Sequence, residues 1–360
     1  MISRPHPSNP SLLMKSTLPR RLFMAAVCCI CAVAGAKTER CEVCDGRLPR
    51  QAWTYNGRTC CSQACIDKLR PICSVCGNII RGDYRKSDGK IFCGTACFHT
   101  TLPKCEICKS PIEKGFTVTR HHYCERCMER QPTCFSCGLP AAYPTLLGDG
   151  REICNGCMRW AVKDQGMAQK HYVRARRQLE AWTSLKLETV PELVLVDKTE
   201  IQRLSNKLRK TDSPVSIRGL YSRQTMMKKH GLFGAWKEAP ELGREKIYIV
   251  DHLHDEVFRV AATHELMHDL IHEHFPRLKD APLWVHEGIC QQAAAELCRR
   301  RNYTDTLQGI EECPDPDYGD GYRYINGLMG FEGWGALKRW MESVDIETLP
   351  KTAPTVRRET

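Results

Sequence analysis

Apolar residues recur in the second half of the chain with helical and then strand-like spacing. Between residues 159 and 187, Met167, Tyr172, Ala175, Leu179 and Trp182 return at near-helical intervals with Lys and Arg between them, which predicts a connecting helix. Leu193-Val194-Leu195-Val196 reads as a strand, a helix is expected from about Thr199 to Lys210, and Ile247-Tyr248-Ile249-Val250 reads as a second strand. The stretch from Ser213 to Gly243 is rich in glycine and polar residues and reads as loops. A further helix is predicted from Asp255, its N-cap, to Phe275, where Pro276 stops it. Leu283, Ile289, Ala293 and Leu297 mark another.

The first half has no such period; its order lies in its cysteines. Of 23 in the chain, 17 fall between Cys41 and Cys157. They form four units: Cys41/Cys44 with Cys61/Cys65, Cys73/Cys76 with Cys93/Cys97, Cys105/Cys108 with Cys124/Cys127, and Cys134/Cys137 with Cys154/Cys157. The inner gaps are 16, 16, 15 and 16 residues, and the units start 32, 32 and 29 residues apart. A Cys-x-x-Cys turn offers two sulfurs to one ion, and a hairpin of this length returns the second pair to complete a tetrahedron. The return limbs Gly57-Arg58-Thr59, Gly89-Lys90-Ile91-Phe92, His121-His122-Tyr123 and Gly150-Arg151-Glu152-Ile153 imply hairpin strands. Cys60 aligns with Phe92 and is the odd cysteine. A disulfide framework does not require two close pairs per repeat, so four structural zinc sites are the expectation. The units resemble LIM domains and zinc ribbons, but the seven, seven and six residues between successive units exceed the two of a LIM domain, which makes them LIM-like. Their expected role is to bind substrate or a protein partner.

Near the N-terminus, Arg20-Arg21 precede an apolar run from Leu22 to Ala34 that ends in Ala34-Gly35-Ala36, the layout of an export signal cleaved after Ala36. Thirteen apolar residues fall short of the roughly 20 a spanning helix needs. The expectation is an exported protein, periplasmic or extracellular, with no membrane association after cleavage; Arg20-Arg21-Leu22-Phe23-Met24 also resembles the twin-arginine export motif. The formal charge of +11 falls to +7 once Arg4, Lys15, Arg20 and Arg21 are removed, and 16 thiolates around four dications bring it near neutrality. Charge therefore gives no argument for a nucleic-acid partner.

His264-Glu265-Leu266-Met267-His268 lies within the helix predicted from Asp255. Histidines four apart project from one helical face and can grip one zinc ion, while Glu265 beside them takes a proton from water. Two residues compete as third ligand. His274 stands at the metzincin offset but lacks the glycine that would turn the chain, that position being Ile271. Glu287, 19 positions after His268 and early in the next helix, is the better placed, and the pattern of His-Glu-x-x-His, 18 residues and Glu-Gly is that of the gluzincins. Tyr318, Tyr322 and Tyr324 are candidates to stabilise the oxyanion, with Tyr318 preferred. Asp269 and Gln291 are candidates to orient the ligands, and Cys290 and Cys298 read as core residues.

From about Val190 to Pro350 the chain resembles the peptidase domain of the plant organ-size-control proteins, ubiquitin-activated peptidases that carry a LIM domain ahead of the catalytic part. The matching segments are Val194-Leu195-Val196, Arg218-Gly219-Leu220, His264 to His268, Glu287-Gly288-Ile289-Cys290-Gln291, and Tyr318-Gly319-Asp320-Gly321-Tyr322-Arg323. The resemblance implies proteolysis, with His264, His268 and Glu287 as zinc ligands and Glu265 as general base. No ubiquitin-interacting motif is present, so the family's substrates do not carry over. The expected architecture is α+β: signal peptide 1–36, four tandem four-cysteine zinc modules 37–158, a helical linker 159–189, and a zincin-type metallopeptidase domain 190–352. The alternative is a non-catalytic interaction protein with a degenerate peptidase fold.

Overall fold

The structure is a computed structural model that describes residues 40–209, 218–223, 226–229, 236–239 and 245–355. The expected export signal, 1–36, lies outside the described residues. The described chain mixes helix and strand and divides into two units, one of residues 40–105 and 109–115, the other of 106–108 and 116–355. The division passes through the third cysteine module, and the fourth belongs to the larger unit.

All four modules share one plan. A single bridge on either side of the first cysteine pair (Arg40 with Arg47, Ile72 with Ile79, Lys104 with Pro111, Thr133 with Pro140) closes it into a tight turn. Inside each turn the amide of Asp45, Gly77, Lys109 or Gly138 donates to the carbonyl of the first cysteine at 2.8–3.0 Å, and these four residues have φ between 58° and 78°. Glycine takes that left-handed conformation without the Cβ clash that Asp45 and Lys109 bear. Hairpins follow, Trp53–Tyr55 with Arg58–Cys60, Arg85–Ser87 with Lys90–Phe92, Gly115–Val118 with His121–Cys124, and Thr145–Leu146 with Glu152–Ile153. Asn56-Gly57 and Asp88-Gly89 turn the first two with positive φ at both residues, as a two-residue hairpin requires. Cys60, Phe92, Tyr123 and Ile153 are buried at equivalent places just before the second cysteine pair, so Cys60 fills a core position. A short helix then carries each module's last cysteine.

The larger unit is built on a three-stranded sheet. Its central strand, Glu245–Val250, pairs in parallel with Glu192–Val196 and antiparallel with Gly219–Arg223. The last of these, and a hairpin of Met226–Lys229 with Trp236–Ala239, fall where loops were expected. Gly219-Leu220-Tyr221-Ser222-Arg223 has no β-branched residue to announce a strand; pairing with the apolar central strand decides its conformation. The expected connecting helix, Gln165–Thr183, is capped by Asp164 and buries Ala168, Tyr172, Ala175, Leu179 and Trp182 in the main core. It is thus part of the folded unit, and the Tyr172 hydroxyl donates to the Pro191 carbonyl at 2.9 Å.

Two long helices complete the core. The motif helix, Asp255–His274, begins one residue earlier than an Asp255 cap would give: His254 is the cap, its Nδ1 accepting from the Glu256 amide at 3.2 Å. Asp255 and Glu256 then occupy the first turn, where the helix dipole favours acids. The second helix, Leu283–Arg301, packs against it through Ile289 and Ala293 and ends in three arginines and a left-handed Asn302. Phe258 and Trp284 are fully buried in this core, and cutting either to alanine costs about 3–5 kcal/mol.

Module four is joined to the start of the motif helix. Ser136 Oγ accepts from the His254 amide at 2.8 Å, and Ala161–Val162 pairs antiparallel with Leu253–His254. Arg151, 3% exposed, donates to Asp149 at 2.7 Å, to the Asp251 carbonyl at 2.6 Å and to the Asp251 carboxylate. Asp149 also accepts from the Lys198 amide at 2.9 Å, and Arg218 donates to the Phe135 carbonyl at 3.3 Å.

Candidate active site

The motif helix places His264 and His268 one turn apart with Glu265 next to His264. His264 and Glu265 are buried and His268 is half-buried, and the second helix brings Glu287 to them from its second turn. His264 Nε2 lies 3.0 Å and His268 Nε2 3.6 Å from the same oxygen, Glu287 Oε2. Glu287 is 1% exposed; burial alone would raise its pKa, but His268 and His264 beside it hold the carboxyl well below the usual carboxylate range. His268 Nε2 is buried without a hydrogen bond. Two imidazole nitrogens and an ionised carboxylate oxygen converging in this way fit a divalent ion with nitrogen and oxygen ligands.

Cys290 stands in the same place. Its sulfur and the His264 and His268 nitrogens all lie within 4.8 Å of one another, so purely by spacing it rivals Glu287. We favour Glu287, since its oxygen lies 3.0 and 3.6 Å from the two imidazole nitrogens and its carboxyl is held ionised. Cys290 was expected in the core, and it is buried there. Its position three residues after Glu287 on the same helix was the available signal that both face the histidines. His274 is not part of the site: its Nε2 donates to the Lys186 carbonyl at 2.7 Å, because the helix runs unbroken through Ile271.

Glu265 is held where backbone approaches it. A Cβ added at Gly219 would lie 2.6 Å from Glu265 Oε1, so a side chain at 219 would have to push the carboxylate from its present place. Among the three tyrosines, Tyr318 alone stacks on His264, with ring centroids 5.9 Å apart and planes at 19°. Tyr322 is buried with its hydroxyl between Arg299 and Glu311, and Tyr324 packs edge-on against Trp284. Glycines set the Tyr318 segment: a Cβ at Gly319 would fall 1.9 Å from the Cys313 carbonyl oxygen, and one at Gly321 would fall 2.5 Å from that of Trp284. Arg323 ties the turn down by bonding Asp320 and the carbonyls of Glu311 and Cys313. Of the two proposed orienting residues, Asp269 accepts from the Tyr221 hydroxyl at 2.9 Å, and that ring stacks on His268 at 6.2 Å. Tyr221, which sequence reasoning missed, thus stands between Asp269 and His268. Gln291 lines the cleft.

His264, Glu265 and Tyr318 open into one cleft of about 530 Å³. The same cleft is lined by Ser136, Cys137, Leu139, Cys154, Gly156 and Cys157 of module four.

In each module the four expected cysteines cluster, their sulfurs within 4.8 Å of one another. Neighbouring sulfurs are 3.5 Å apart for Cys44 and Cys61, 3.6 Å for Cys61 and Cys65, and 3.7 Å for Cys76 with Cys93 and for Cys108 with Cys124. No disulfide joins any described cysteine. A disulfide would bring sulfurs to about 2.05 Å. Four sulfurs each about 2.3 Å from one ion stand about 3.8 Å apart, which is close to the observed spacing. Amides of Cys76, Cys93 and Val75 draw the Cys73 thiol down to about 6, so a thiolate forms readily there. The four clusters are consistent with zinc-binding modules.

Compared with known proteins, the chain matches no protein-family model and no curated protein. Among the described residues no helix is long and apolar enough to cross a membrane.

Proposed function

We propose that the chain is a zinc-dependent peptidase of gluzincin type, related to the LIM-containing peptidases it resembles in sequence. The observation that carries this reading is the convergence of His264, His268 and Glu287 at the edge of a cleft into which His264, Glu265 and Tyr318 open. Zinc held by the two imidazoles and the carboxylate would supply Lewis acidity towards the scissile carbonyl and towards water. Glu265 accepts the proton of the attacking water and returns it to the leaving amine. Tyr318 donates a hydrogen bond to the developing oxyanion. Gly219–Arg223, at the edge of the three-stranded sheet, offers main-chain donors and acceptors to an extended peptide passing Glu265.

The four cysteine clusters hold one structural zinc each in this reading. Modules one and two also expose Trp53, Ile72, Val75, Ile79 and Tyr84, side chains suited to a protein partner or substrate, and these favour the recruitment role. Were the peptidase site inactive, that surface would carry the function alone, as an interaction protein. Export remains part of the proposal; with a twin-arginine signal, Arg20-Arg21→Lys-Lys leaves precursor in the cytosol, and normal export of that variant would point to the unfolded-chain route. The activity is tested by incubating the zinc-loaded full chain with an unbiased peptide mixture. Cleavage lost on adding 1,10-phenanthroline and regained with zinc is expected, whereas no cleavage by fully loaded protein would remove the enzymatic reading.

A further inference from the structure

Four modules with one plan invite one role, yet the fourth shares the cleft of the candidate active site. Its Cys137, Leu139 and Gly156 line that cleft together with Val257 and Val260 of the motif helix and Ile310, which follows the second helix. Val257, Val260 and His264 fall on one side of the motif helix, three, four and seven residues apart, so this apolar flank runs directly into the metal-ligand position. Module four cannot drift from that position, because Ser136, Arg151 and the Ala161–Val162 strand fasten it to the residues just before the helix.

We propose that module four, with the first turns of the motif helix, forms a subsite for a large apolar side chain of the peptide next to the scissile bond. This rests on the peptidase reading for the identity of the occupant. The walls named are aliphatic or sulfur-bearing, and an apolar side chain leaving water for such a site gains binding in proportion to the area it buries. The cleft also holds the charged side chains of Arg218, Glu256 and Asp305, but a charged side chain set against the aliphatic walls would lose its hydration there. Module four thus selects the residue to be cut beside, a different task from recruitment by exposed apolar residues.

The test uses the full zinc-loaded chain carrying Glu265→Gln, which lacks the base and so reports binding without turnover. Fluorescent-labelled pentapeptides differing only at the central residue are titrated against it. Peptides with Leu or Phe are expected to bind roughly tenfold or more tightly than those with Asp or Lys. Adding Leu139→Asp is expected to erase that preference, and adding Ile79→Asp on module two to preserve it. Leu139→Ala, a milder change that keeps the wall apolar, is expected to shift preference towards larger side chains; it carries the test should Leu139→Asp fail to retain its full metal content. Unchanged preference in Leu139→Ala, or equal binding of all peptides before substitution, would overturn the subsite. If the preference is found but wild-type protein cleaves nothing, the subsite stands and the peptidase reading falls.

Discussion

Modules one and four fold alike and are embedded differently. Module one buries Cys41, Cys60, Cys65 and Ile66 against its own Val43, Leu48 and Tyr55, and its ion pair of Arg40 and Asp45 is largely exposed. In module four, Phe135 belongs both to the module's own cluster and to the periphery of the main core, and Arg151 is an almost fully buried cation bound to Asp251. The cysteine pattern specifies the module in both cases. What it becomes is decided by the residues between the cysteines, an arginine and a serine here, which can turn a small cysteine-clustered hairpin into the wall of a cleft it shares with the larger unit.

The difference can be broken at the metal. Cys137→Ser with Cys154→Ser in module four is expected to remove one zinc and lower kcat/KM about a hundredfold or more, because the cleft wall and the start of the motif helix lose their support. Cys44→Ser with Cys61→Ser in module one is expected to remove one zinc and leave small-peptide cleavage within about threefold, by the same metal analysis and assay. Equal losses would mean that the modules are not functionally distinct.

The ion pairs sharpen it next. Arg151→Met leaves Asp149 and Asp251 without their cation and is expected to destabilise the larger unit by about 3–5 kcal/mol in denaturant unfolding. Arg40→Met, at an exposed pair, is expected to change stability by less than about 1 kcal/mol. A glycine contrast gives smaller effects. Gly319→Ala must displace the Cys313 carbonyl and with it Tyr318, and is expected to lower kcat about tenfold with catalytic zinc retained. Gly57→Ala, where only the positive φ of 78° resists a side chain, is expected to cost module one about 1 kcal/mol and leave cleavage unchanged.

How much of this could be read beforehand depended on how local the signal was. The cysteine spacing encodes a turn and a hairpin within a single repeat, and all four clusters assemble as expected. The motif helix and the helix bearing Glu287 were legible because their apolar period spans several turns. Strand Gly219–Arg223 was not, since its conformation comes from the central strand and from the room Glu265 needs beside Gly219. The close approach of Gly288 to Gly321, which seats the Tyr318 segment, and the attachment of Arg151 to Asp251 join residues 33 and 100 positions apart. No local pattern announces such pairs. The helix of residues 165–183 looked like a connection because Lys and Arg interrupt its apolar stripe, yet that stripe is part of the main core.

Zinc content and peptide cleavage measured together on three full-length variants test the central claim most directly. Glu265→Gln should keep the fifth zinc and lose turnover if, as proposed, residue 265 is the base and not a ligand. Glu287→Ala should lose both, and His274→Ala, whose ring bonds the Lys186 carbonyl, should keep both. An active Glu287→Ala together with a His274→Ala protein lacking the fifth zinc would contradict the account.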